Sequence, residues 1–435
     1  MECGRITGIF GTNSSGKSSI LQFLLMLKQT RESTDRYAIL ELNGNYVELG
    51  TYEDLMRQGQ PKTISFDLRI RNEFKTNLNR INESTSYEEF GVAINIDFNN
   101  SKRPQISLSY ESEGGTLSYD PNQPGVLVFL EKDSDRSYRD SNLEENHKVK
   151  SYMFPVPIDL IYHSDEPAVI VDLFYRFQRD AFAVHWVFEN FCDQTYYLGP
   201  LRMVPRRNYI WASSRPRDVG SRGERCIDAI LAATSLEEIE KTDKFELPFQ
   251  ARVARSLEQL GLVSGFRMVK ISDKSSIWHA LIRVQPNSPE VPLTDVGFGI
   301  SQVLPVVTLL HYVPEKSVVL LEQPELHLHP LAQANLADFI IDVARERNLQ
   351  IIVESHSEQF LLRLQRRVAE ETIPADEIRL YFVDMIDGRS QLVKLDLDEF
   401  GSIRNWPKDF MGDAFGETAK AELARVKRRK RARGE

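Results

Sequence analysis

The chain has 435 residues, a net charge of −9 and an ordinary hydrophobic fraction of 41%. This length is large for one hydrophobic core, so we expect one elaborated domain or two lobes. The negative charge excludes a protein that coats nucleic acid with a basic surface, although a local basic patch is compatible with it. The three cysteines, Cys3, Cys192 and Cys226, form no CxxC pair and no disulfide framework, which is typical of a reducing cytosol.

The N-terminal region has no apolar run of the kind that a signal peptide needs, because the polar segment GTNSSGKSS occupies residues 11–19. The most apolar stretch, residues 299–313, contains Ser301, Gln302 and His311 and is too short to span a bilayer. We therefore expect a soluble cytoplasmic protein that does not associate with membranes.

The first elements form a strand–loop–helix unit. Residues 5–11 (RITGIFG) predict a short buried strand, and the apolar spacing of residues 17–30 predicts a helix. Residues 38–131 are different, because short, partly alternating apolar segments are separated by polar breaks rich in Gly and Asn. This pattern predicts an antiparallel meander. Residues 133–150 are the most polar stretch and are expected to form an exposed loop.

The middle of the chain is predicted to be largely helical. Residues 165–191 are rich in aromatic side chains and favour a helix, and residues 223–260 favour two or more helices. Two strands are expected at 268–271 and 280–284. Glycines then interrupt the chain, and a further helix is expected from Ser301.

The next elements alternate between strands and helices. Short apolar runs at 317–321 and 351–353 are typical of buried parallel strands. Helices are predicted after each of them, at 332–345 and 358–368. This order predicts an α/β fold with a doubly wound, mostly parallel core sheet, to which the antiparallel β lobe and the helical insert are added.

These expectations divide the chain into five segments. They are residues 1–37, the phosphate-loop strand and helix of the core; 38–164, the antiparallel β lobe with polar loops; 165–265, the helical insert; 266–400, the remaining core; and 401–435, a C-terminal segment with a basic tail.

Residues 11–18 (GTNSSGKS) match GxxxxGK[ST] at every fixed position and lie between a predicted strand and a predicted helix. Gly11 and Gly16 let the backbone curl so that its N–H groups face phosphate oxygens, and the helix N-terminus adds a favourable dipole. Lys17 is placed to reach the terminal phosphates, and the Ser18 hydroxyl is a Mg²⁺ ligand. The alternative is a Gly/Ser-rich turn that fits the pattern by chance.

Two polar positions follow the predicted core strands. Glu322 comes directly after residues 317–321, where a phosphate-loop enzyme needs an acid near the Mg²⁺. His356 comes just past residues 351–353, where an imidazole can sense the γ-phosphate. Gly297 and Gly299 lie in a turn that opens a helix and so presents N–H groups to an anion. The structural alternatives are that Glu322 is a surface carboxylate, that His356 is a structural loop histidine, and that the two glycines form an ordinary turn.

Six segments, taken in order, resemble the SMC/ABC-type AAA ATPases, and most closely the RecF/OLD-like group that includes ATPase subunits of phage-defence systems such as Septu. They are GTNSSGKS (11–18), YYLGPLRMVPRRNY (196–209), DVGFGISQVLP (295–305), EQPELHLHP (322–330), ESHSEQFLLRL (354–364) and NWPKDF (405–410). Residues 83–194 carry little of the resemblance.

The resemblance implies a P-loop NTPase of ABC/SMC head type, with two heads that enclose two ATP molecules. It implies that Glu322 stands in the Walker B position and ligates Mg²⁺ with Ser18, and that His356 is the switch. It also implies that Gly297 and Gly299 contact the γ-phosphate bound by the other head. The implied ATP-binding residues are Gly11, Asn13, Ser14, Ser15, Gly16, Lys17, Ser18 and Ser19. The Q-loop is not clear, and Gln58 and Gln60 are its candidates.

The sequence departs from the family in three places. The usual general base after the Walker B acid is replaced by Gln323, whose amide orients water but does not accept its proton. Hydrolysis is then expected to be slow, unless Glu325 acts as the base instead. Gly297 stands where the signature usually has Ser. These proteins also carry strands before the phosphate loop, which are absent from this sequence. We therefore expect translation to start upstream of Met1.

Four other features have alternative interpretations. His327 and His329 suit either a metal site or, by the resemblance, the D-loop at the dimer interface. The residues Arg202, Arg206 and Arg207 suit phosphate sensing, DNA binding or a solvated loop. The tail at 427–433 suits nucleic-acid binding or a disordered end. Asp396 and Asp398 resemble the acidic pair of a Toprim nuclease, but too little chain follows, and an exposed strand edge is the better interpretation.

The leading hypothesis is an ATPase that acts as a dimeric switch with ATP and Mg²⁺. It would form a homodimer or higher homo-oligomer and control a separately encoded effector, a nuclease or toxin, in phage defence. One alternative is a RecF-like repair ATPase that clamps DNA. The other is a largely non-hydrolysing scaffold held together by ATP, which is motivated by Gln323.

Overall fold

The strands and helices of the computed structural model coincide with most of the apolar runs identified in the sequence. It describes residues 1–34, 40–56, 62–71, 89–97, 105–112, 115–119, 127–131, 137–140, 187–240, 247–406 and 425. The helices are α1 (Lys17–Glu32), α2 (Cys226–Glu240), α3 (Phe249–Gln259), α4 (Phe298–Tyr312), α5 (Pro330–Glu346) and α6 (Glu358–Ala369). The strands are β1 (Ile6–Gly11), β2 (Thr63–Arg71), β3 (Glu89–Asp97), β4 (Gln105–Ser112), β5 (Gly115–Tyr119), β6 (Leu127–Glu131), β7 (Ser137–Asp140), β8 (Thr195–Leu198), β9 (Tyr209–Ile210), β10 (Gly265–Lys270), β11 (Ile277–Arg283), β12 (Val291–Pro292), β13 (Val318–Glu322), β14 (Gln350–Glu354), β15 (Ile378–Ile386) and β16 (Arg389–Leu395).

The chain divides into two units, of which the first contains Met1–Leu21 and Thr195–Glu435. Its central sheet has six strands in the order β16-β15-β1-β14-β13-β8. The strands β15, β1, β14, β13 and β8 run parallel, and β16 is antiparallel at one edge. The inner strands are buried along nearly their whole length, which explains their continuous apolar runs. The predicted doubly wound, mostly parallel core is confirmed.

The described residues of the first unit also form a small antiparallel sheet and the helices α2, α3, α4, α5 and α6. The strands β10, β11 and β12 pair in that order, and β9 pairs with β11. The apolar faces of α3 and α6 are regular, with buried residues at helical spacing. In contrast, α4 is buried from Ile300 to Leu310, even at its polar residues. This burial holds the first turn of α4 in a fixed position.

The second unit contains Gln22–Gln194 and a six-stranded antiparallel sheet in the order β2-β3-β4-β5-β6-β7. Successive strands pair as neighbours, and this confirms the predicted meander. The inward face of β3 carries Val92, Ile94 and Ile96, which are buried at every second position. The remainder of α1 belongs to this unit, and the buried Lys28 ammonium donates to the Cys192 carbonyl at 2.9 Å and contacts Glu32 at 3.0 Å.

Two differences from the sequence-based prediction concern polar strands. The expected loop at 133–150 contains β7, and β5 was not predicted. Both strands are held by backbone hydrogen bonds to a neighbouring strand, which do not require apolar side chains. The predicted helix at 165–191 is described only from residue 187, where the chain is helical. Within the described part of the chain, no helix has both the length and the apolar character needed to cross a membrane.

Candidate nucleotide site

The loop between β1 and α1 has the backbone conformation of a phosphate loop. Gly11 and Gly16 have φ values of 146° and 94°, and Ser14 lies in the left-handed region at 61°. Both glycines also lie against the β15–β16 hairpin. A Cβ on Gly11 would be 2.2 Å from the Val383 carbonyl oxygen, and one on Gly16 would be 2.7 Å from the Ser390 hydroxyl. The glycines are therefore required by both conformation and space.

The polar atoms of this loop suit a phosphate group. Asn13 and Ser14 are exposed, while Ser15 is buried with a hydroxyl that has no hydrogen-bond partner among the described residues. The first backbone amides of α1 point out of the helix N-terminus, where an anion is stabilised. The orphaned hydroxyl and the curled backbone fit a nucleotide triphosphate better than an ordinary turn.

The Lys17 side chain is held over its own loop. It is only 4% exposed, and its Nζ donates to the Thr12 carbonyl oxygen at 2.5 Å. Burial lowers the pKa of Lys17, and the nearby charge of Glu354 opposes this shift. An ammonium that is partly stripped of water and bonded to a single carbonyl is a strong binding group for phosphate oxygens.

Two carboxylates lie side by side where β13 and β14 end. Glu322 and Glu354 are direct neighbours in the parallel register of these strands. The Glu322 carboxylate accepts a hydrogen bond from the Tyr197 hydroxyl at 2.9 Å. The Glu354 carboxylate accepts one from the Ser18 hydroxyl at 3.1 Å. Burial raises the pKa of Glu322 to about 7 and also raises the pKa of Glu354. Two buried neighbouring acids favour a bound cation.

Arg202 fixes the backbone at the end of β13. Its guanidinium donates to the carbonyl oxygens of Glu322 at 2.8 Å, Gln323 at 2.9 Å and Pro200 at 3.2 Å. The side chain is buried, and this burial lowers the pKa of Arg202 to about 10. This buried contact gives Arg202 a structural position, which is none of the three roles considered for it from the sequence. Gln323 itself adopts a positive φ of 45°.

Glu325 holds the segment that contains His356. Its Oε1 accepts hydrogen bonds from the Ser355 hydroxyl at 2.8 Å and from the His356 backbone N–H at 2.9 Å. Glu325 is buried, whereas the His356 side chain is exposed. Partial burial and the charge of Lys17 lower the pKa of His356. His356 is therefore a neutral, accessible imidazole in the electrostatic field of the phosphate-loop lysine.

The two signature glycines have different environments at the start of α4. Gly297 is the N-cap residue, and among the described residues no atom outside the adjacent backbone lies within 4 Å of the position of a Cβ on it. A Cβ on Gly299 would lie 2.9 Å from the His327 carbonyl oxygen. The ring of Phe298, which is 49% exposed, packs edge-on against that of His327 at 5.1 Å. The helix end is thus open at Gly297 and closely packed at Gly299.

The remaining candidates take structural positions or lie outside the described residues. His329 caps α5 by accepting a hydrogen bond from the Leu331 N–H at 3.4 Å. Arg207 forms an exposed ion pair with Asp295 at 2.9 Å. In the described ranges, no group of three or more His, Cys, Asp or Glu is arranged to hold a metal ion. Mg²⁺ in nucleotide sites usually takes most of its ligands from phosphate and water.

The acidic pair Asp396 and Asp398, which was expected at an exposed strand edge, leads into a turn at Asp398. Asp398 accepts hydrogen bonds from the backbone of Phe400 and Ser402 just after β16, and it contacts Arg404 at 3.5 Å. The Q-loop candidates Gln58 and Gln60, and the basic tail at 427–433, lie outside the described residues.

Sequence reasoning missed several residues of this site, namely Tyr197, Ser355, Glu354 and Ser390. A signal for Glu354 was present, because it follows an apolar strand just as Glu322 does. Ser390 had no local signal, since only the pairing of β15 with β1 brings its hairpin to the phosphate loop.

The sheet order and the loop together define the class of the protein. A phosphate loop follows β1, and the acidic strand β13 is separated from β1 by β14, which leads to the histidine segment. This is the arrangement of a P-loop nucleotide-binding protein. A family profile described as "AAA domain, putative AbiEii toxin, Type IV TA system" matches residues 6–363. The chain belongs to this family of AAA ATPase domains.

Other comparisons give more distant likenesses. Residues 373–420 match a profile described as "Protein of unknown function (DUF3696)". No curated protein matches the chain. A structure of an SMC head bound to the C-terminal winged-helix domain of ScpA is 13% identical with a TM-score of 0.41, and 92% of this chain and 93% of that chain are covered. The SMC head domain from Thermotoga maritima is 10% identical with a TM-score of 0.33, with coverages of 91% and 92%.

Proposed function

We propose that this chain is a MgATP-dependent switch in which two copies close on two nucleotides and control a partner protein. Each nucleotide would lie between the phosphate loop of one copy and the N-terminus of α4 of the other. Hydrolysis would reopen the pair.

The open N-terminus of α4 is the observation that carries this proposal. Within the part of the chain that the structure describes, no side chain caps it, and no atom beyond the neighbouring backbone lies within 4 Å of a Cβ placed on Gly297. The backbone amides of a helix N-terminus attract anions, and an uncapped end leaves them available. The exposed ring of Phe298 lies at the same end. An anion-binding end beside an exposed aromatic side chain suits a second copy that carries a phosphate group.

The residues of one copy divide the work of holding MgATP. Lys17 and the loop amides bind the phosphates, Ser18 ligates the Mg²⁺, and one of the two neighbouring carboxylates, Glu322 in the Walker B position or Glu354, ligates it as well. The Mg²⁺ neutralises charge on the phosphates and supplies Lewis-acid assistance to phosphoryl transfer. His356 is neutral and accessible, so it can hydrogen-bond to a terminal phosphate and distinguish ATP from ADP.

Gln323 suggests that the closed state is long-lived. It follows Glu322 directly in the sequence, where related ATPases usually carry the general base, and an amide orients a water molecule without removing its proton. Slow hydrolysis would prolong the ATP-bound dimer and give a partner time to respond. A scaffold that does not hydrolyse ATP is the second candidate, and the same residue favours it.

The partner is proposed from the family description, which names a toxin and a Type IV toxin–antitoxin system. We propose a separately encoded effector, a nuclease or toxin, in a bacterial defence operon in the cytoplasm. DNA is the alternative ligand of the closed dimer.

The test is ATP turnover and molecular mass, measured on the same purified protein with and without MgATP. Turnover together with an ATP-dependent dimer supports the switch, and a dimer without turnover supports the scaffold. Lys17→Ala should lose both, because the phosphates lose their ammonium. No nucleotide binding by the wild-type chain would contradict both candidates.

A second variant separates binding from closure. Gly297→Glu places a carboxylate in space that is open within one chain, and the φ of −58° at this position suits any residue. It should keep nucleotide binding but lose the ATP-dependent dimer, whereas the uncharged Gly297→Ser should keep both. A normal dimer of Gly297→Glu would contradict the proposed interface.

A further inference from the structure

We propose that Glu354, at the end of β14, is the protein carboxylate that holds Mg²⁺ together with Ser18, and that Glu322 is not. This inference rests on the proposed MgATP binding and concerns the residue responsible for it. The metal-binding carboxylate is then on β14, which pairs with β1, and not on β13 as expected from the sequence.

The first argument is the position of Glu354 beside the metal-binding hydroxyl. β14 pairs directly with β1, with Glu354 opposite Ile9, two residues before the phosphate loop begins at Gly11. The Ser18 hydroxyl donates to Glu354 Oε1 at 3.1 Å. A carboxylate that hydrogen-bonds to the loop serine is placed to bind the same cation, directly or through a water.

The second argument is the buried oxygen Oε2 of Glu354. The Gln323 side chain also lies within hydrogen-bonding range of this carboxyl. Glu354 is 2% exposed, and its Oε2 has no hydrogen-bond partner among the described residues. A buried carboxylate oxygen without a partner costs free energy unless a cation or a donor satisfies it. Mg²⁺ prefers carboxylate oxygens as its protein ligands. The unsatisfied oxygen therefore fits a metal that arrives with ATP.

The third argument is that Glu322 is engaged elsewhere. It lies one strand further from β1, and its Oε1 accepts the Tyr197 hydroxyl at 2.9 Å. Tyr197 comes from β8, on the side of β13 away from β14. Glu322 is thus drawn toward the outer strand, and Glu354 toward the phosphate loop.

The backbone around Glu354 is fixed on both sides. The Gln323 N–H donates to the Glu354 carbonyl oxygen at 2.8 Å, and the Ser355 N–H donates to the Ile9 carbonyl oxygen at 3.1 Å. These bonds tie β14 to the strands on either side of it. A metal ligand on such a rigid element needs little reorganisation when the cation binds.

The test measures how Mg²⁺ changes nucleotide affinity, rather than turnover. A fluorescent ATP analogue is titrated into Glu354→Gln and Glu322→Gln, once with EDTA and once with Mg²⁺. Both changes preserve side-chain shape and remove one charge. Mg²⁺ should raise the ATP affinity of the wild type. We expect this rise to be at least about tenfold smaller in Glu354→Gln, a difference equivalent to about 1.4 kcal/mol. Its binding in EDTA should not weaken.

The controls keep the result unambiguous. Ser18→Ala should lose the same gain, and Mn²⁺ bound with ATP should show an altered electron paramagnetic resonance signal in Glu354→Gln. Glu322→Gln should retain the Mg²⁺ gain. Loss in Glu322→Gln, whether alone or equal to that in Glu354→Gln, would overturn the assignment while leaving MgATP binding intact. A wild-type chain that binds no nucleotide would instead overturn the proposed function, and this inference with it.

Discussion

The Glu325 carboxylate accepts the backbone N–H of His356 at 2.9 Å, and the same oxygen accepts the Ser355 hydroxyl. One buried acid thus fixes the loop that presents the exposed imidazole. This geometry favours Glu325 as a positioning residue over a general base, because its Oε1 is occupied by two donors and its Oε2 is buried away from water.

We therefore expect Glu325→Ala to lower turnover strongly while ATP affinity changes little. Glu325→Gln keeps an acceptor oxygen and should retain most of the turnover, since only the charge is lost. Steady-state ATPase assays and nucleotide titrations on both variants check this. If Glu325→Gln were as inactive as Glu325→Ala, the carboxylate would be acting as the base.

The two glycines at the start of α4 should respond differently to an added side chain. Gly299→Ala brings a Cβ to 2.9 Å from the His327 carbonyl oxygen and should cost about 1–3 kcal/mol of the free energy of unfolding. Gly297→Ser has open space and should change stability by only a few tenths of a kcal/mol. Denaturant unfolding of both variants measures this difference, and equal losses would argue against the packing described for Gly299.

Arg202 and Arg207 provide a matched pair for buried and exposed contacts. Arg202→Ala leaves the carbonyl oxygens of Glu322 and Gln323 without their donor, and we expect a loss of about 3 kcal/mol. Arg207→Ala removes only an exposed ion pair with Asp295 and should cost under about 1 kcal/mol. Thermal unfolding compares the two, and similar losses would contradict the structural role of Arg202.

His311 should make the protein sensitive to acid. Burial, followed by the charges of Arg252 and Arg347, lowers the pKa of His311 to about 3, and its Nε2 lies 2.9 Å from the Ser256 hydroxyl. An unfolded histidine titrates near about 6.5, so the unfolded state takes up the proton first and stability falls as pH drops below that value. We expect a loss of roughly 2 kcal/mol between about pH 6.5 and 4.5 that His311→Gln lacks. Identical pH profiles for the two proteins would refute this.

Three strands of the central sheet and the helices beside them could be predicted from the sequence, whereas β8, β15 and β16 of the same sheet were not. The apolar runs that end at Glu322 and Glu354 gave β13 and β14, and the GxxxxGKS pattern gave the loop between β1 and α1. These features depend on short stretches of chain, in which periodicity and glycine placement are sufficient. The antiparallel meander could be predicted for the same reason, because alternation within short segments indicates strands.

The partners of the site residues were not predictable, because they depend on which strands become neighbours. That Ser18 contacts Glu354 rather than Glu322 follows from β14 lying between β1 and β13. The buried contacts of Arg202 likewise require the end of β13 to lie next to residues 200–202. A polar residue in a loop gives no sign in the sequence of whether it will be buried.

The pairing of β1 also has a consequence for how the molecule is made. β1 lies between β14 and β15, whose paired residues come more than three hundred positions later in the chain, as in the pairs Ile6–Ile351 and Ile6–Ile378. During synthesis the phosphate loop is therefore produced more than three hundred residues before the strands that flank β1. Contacts this distant in sequence form slowly. Nucleotide binding would then report that β14 and β15 have been translated and packed against β1, and fragments that end before β14 should not bind ATP.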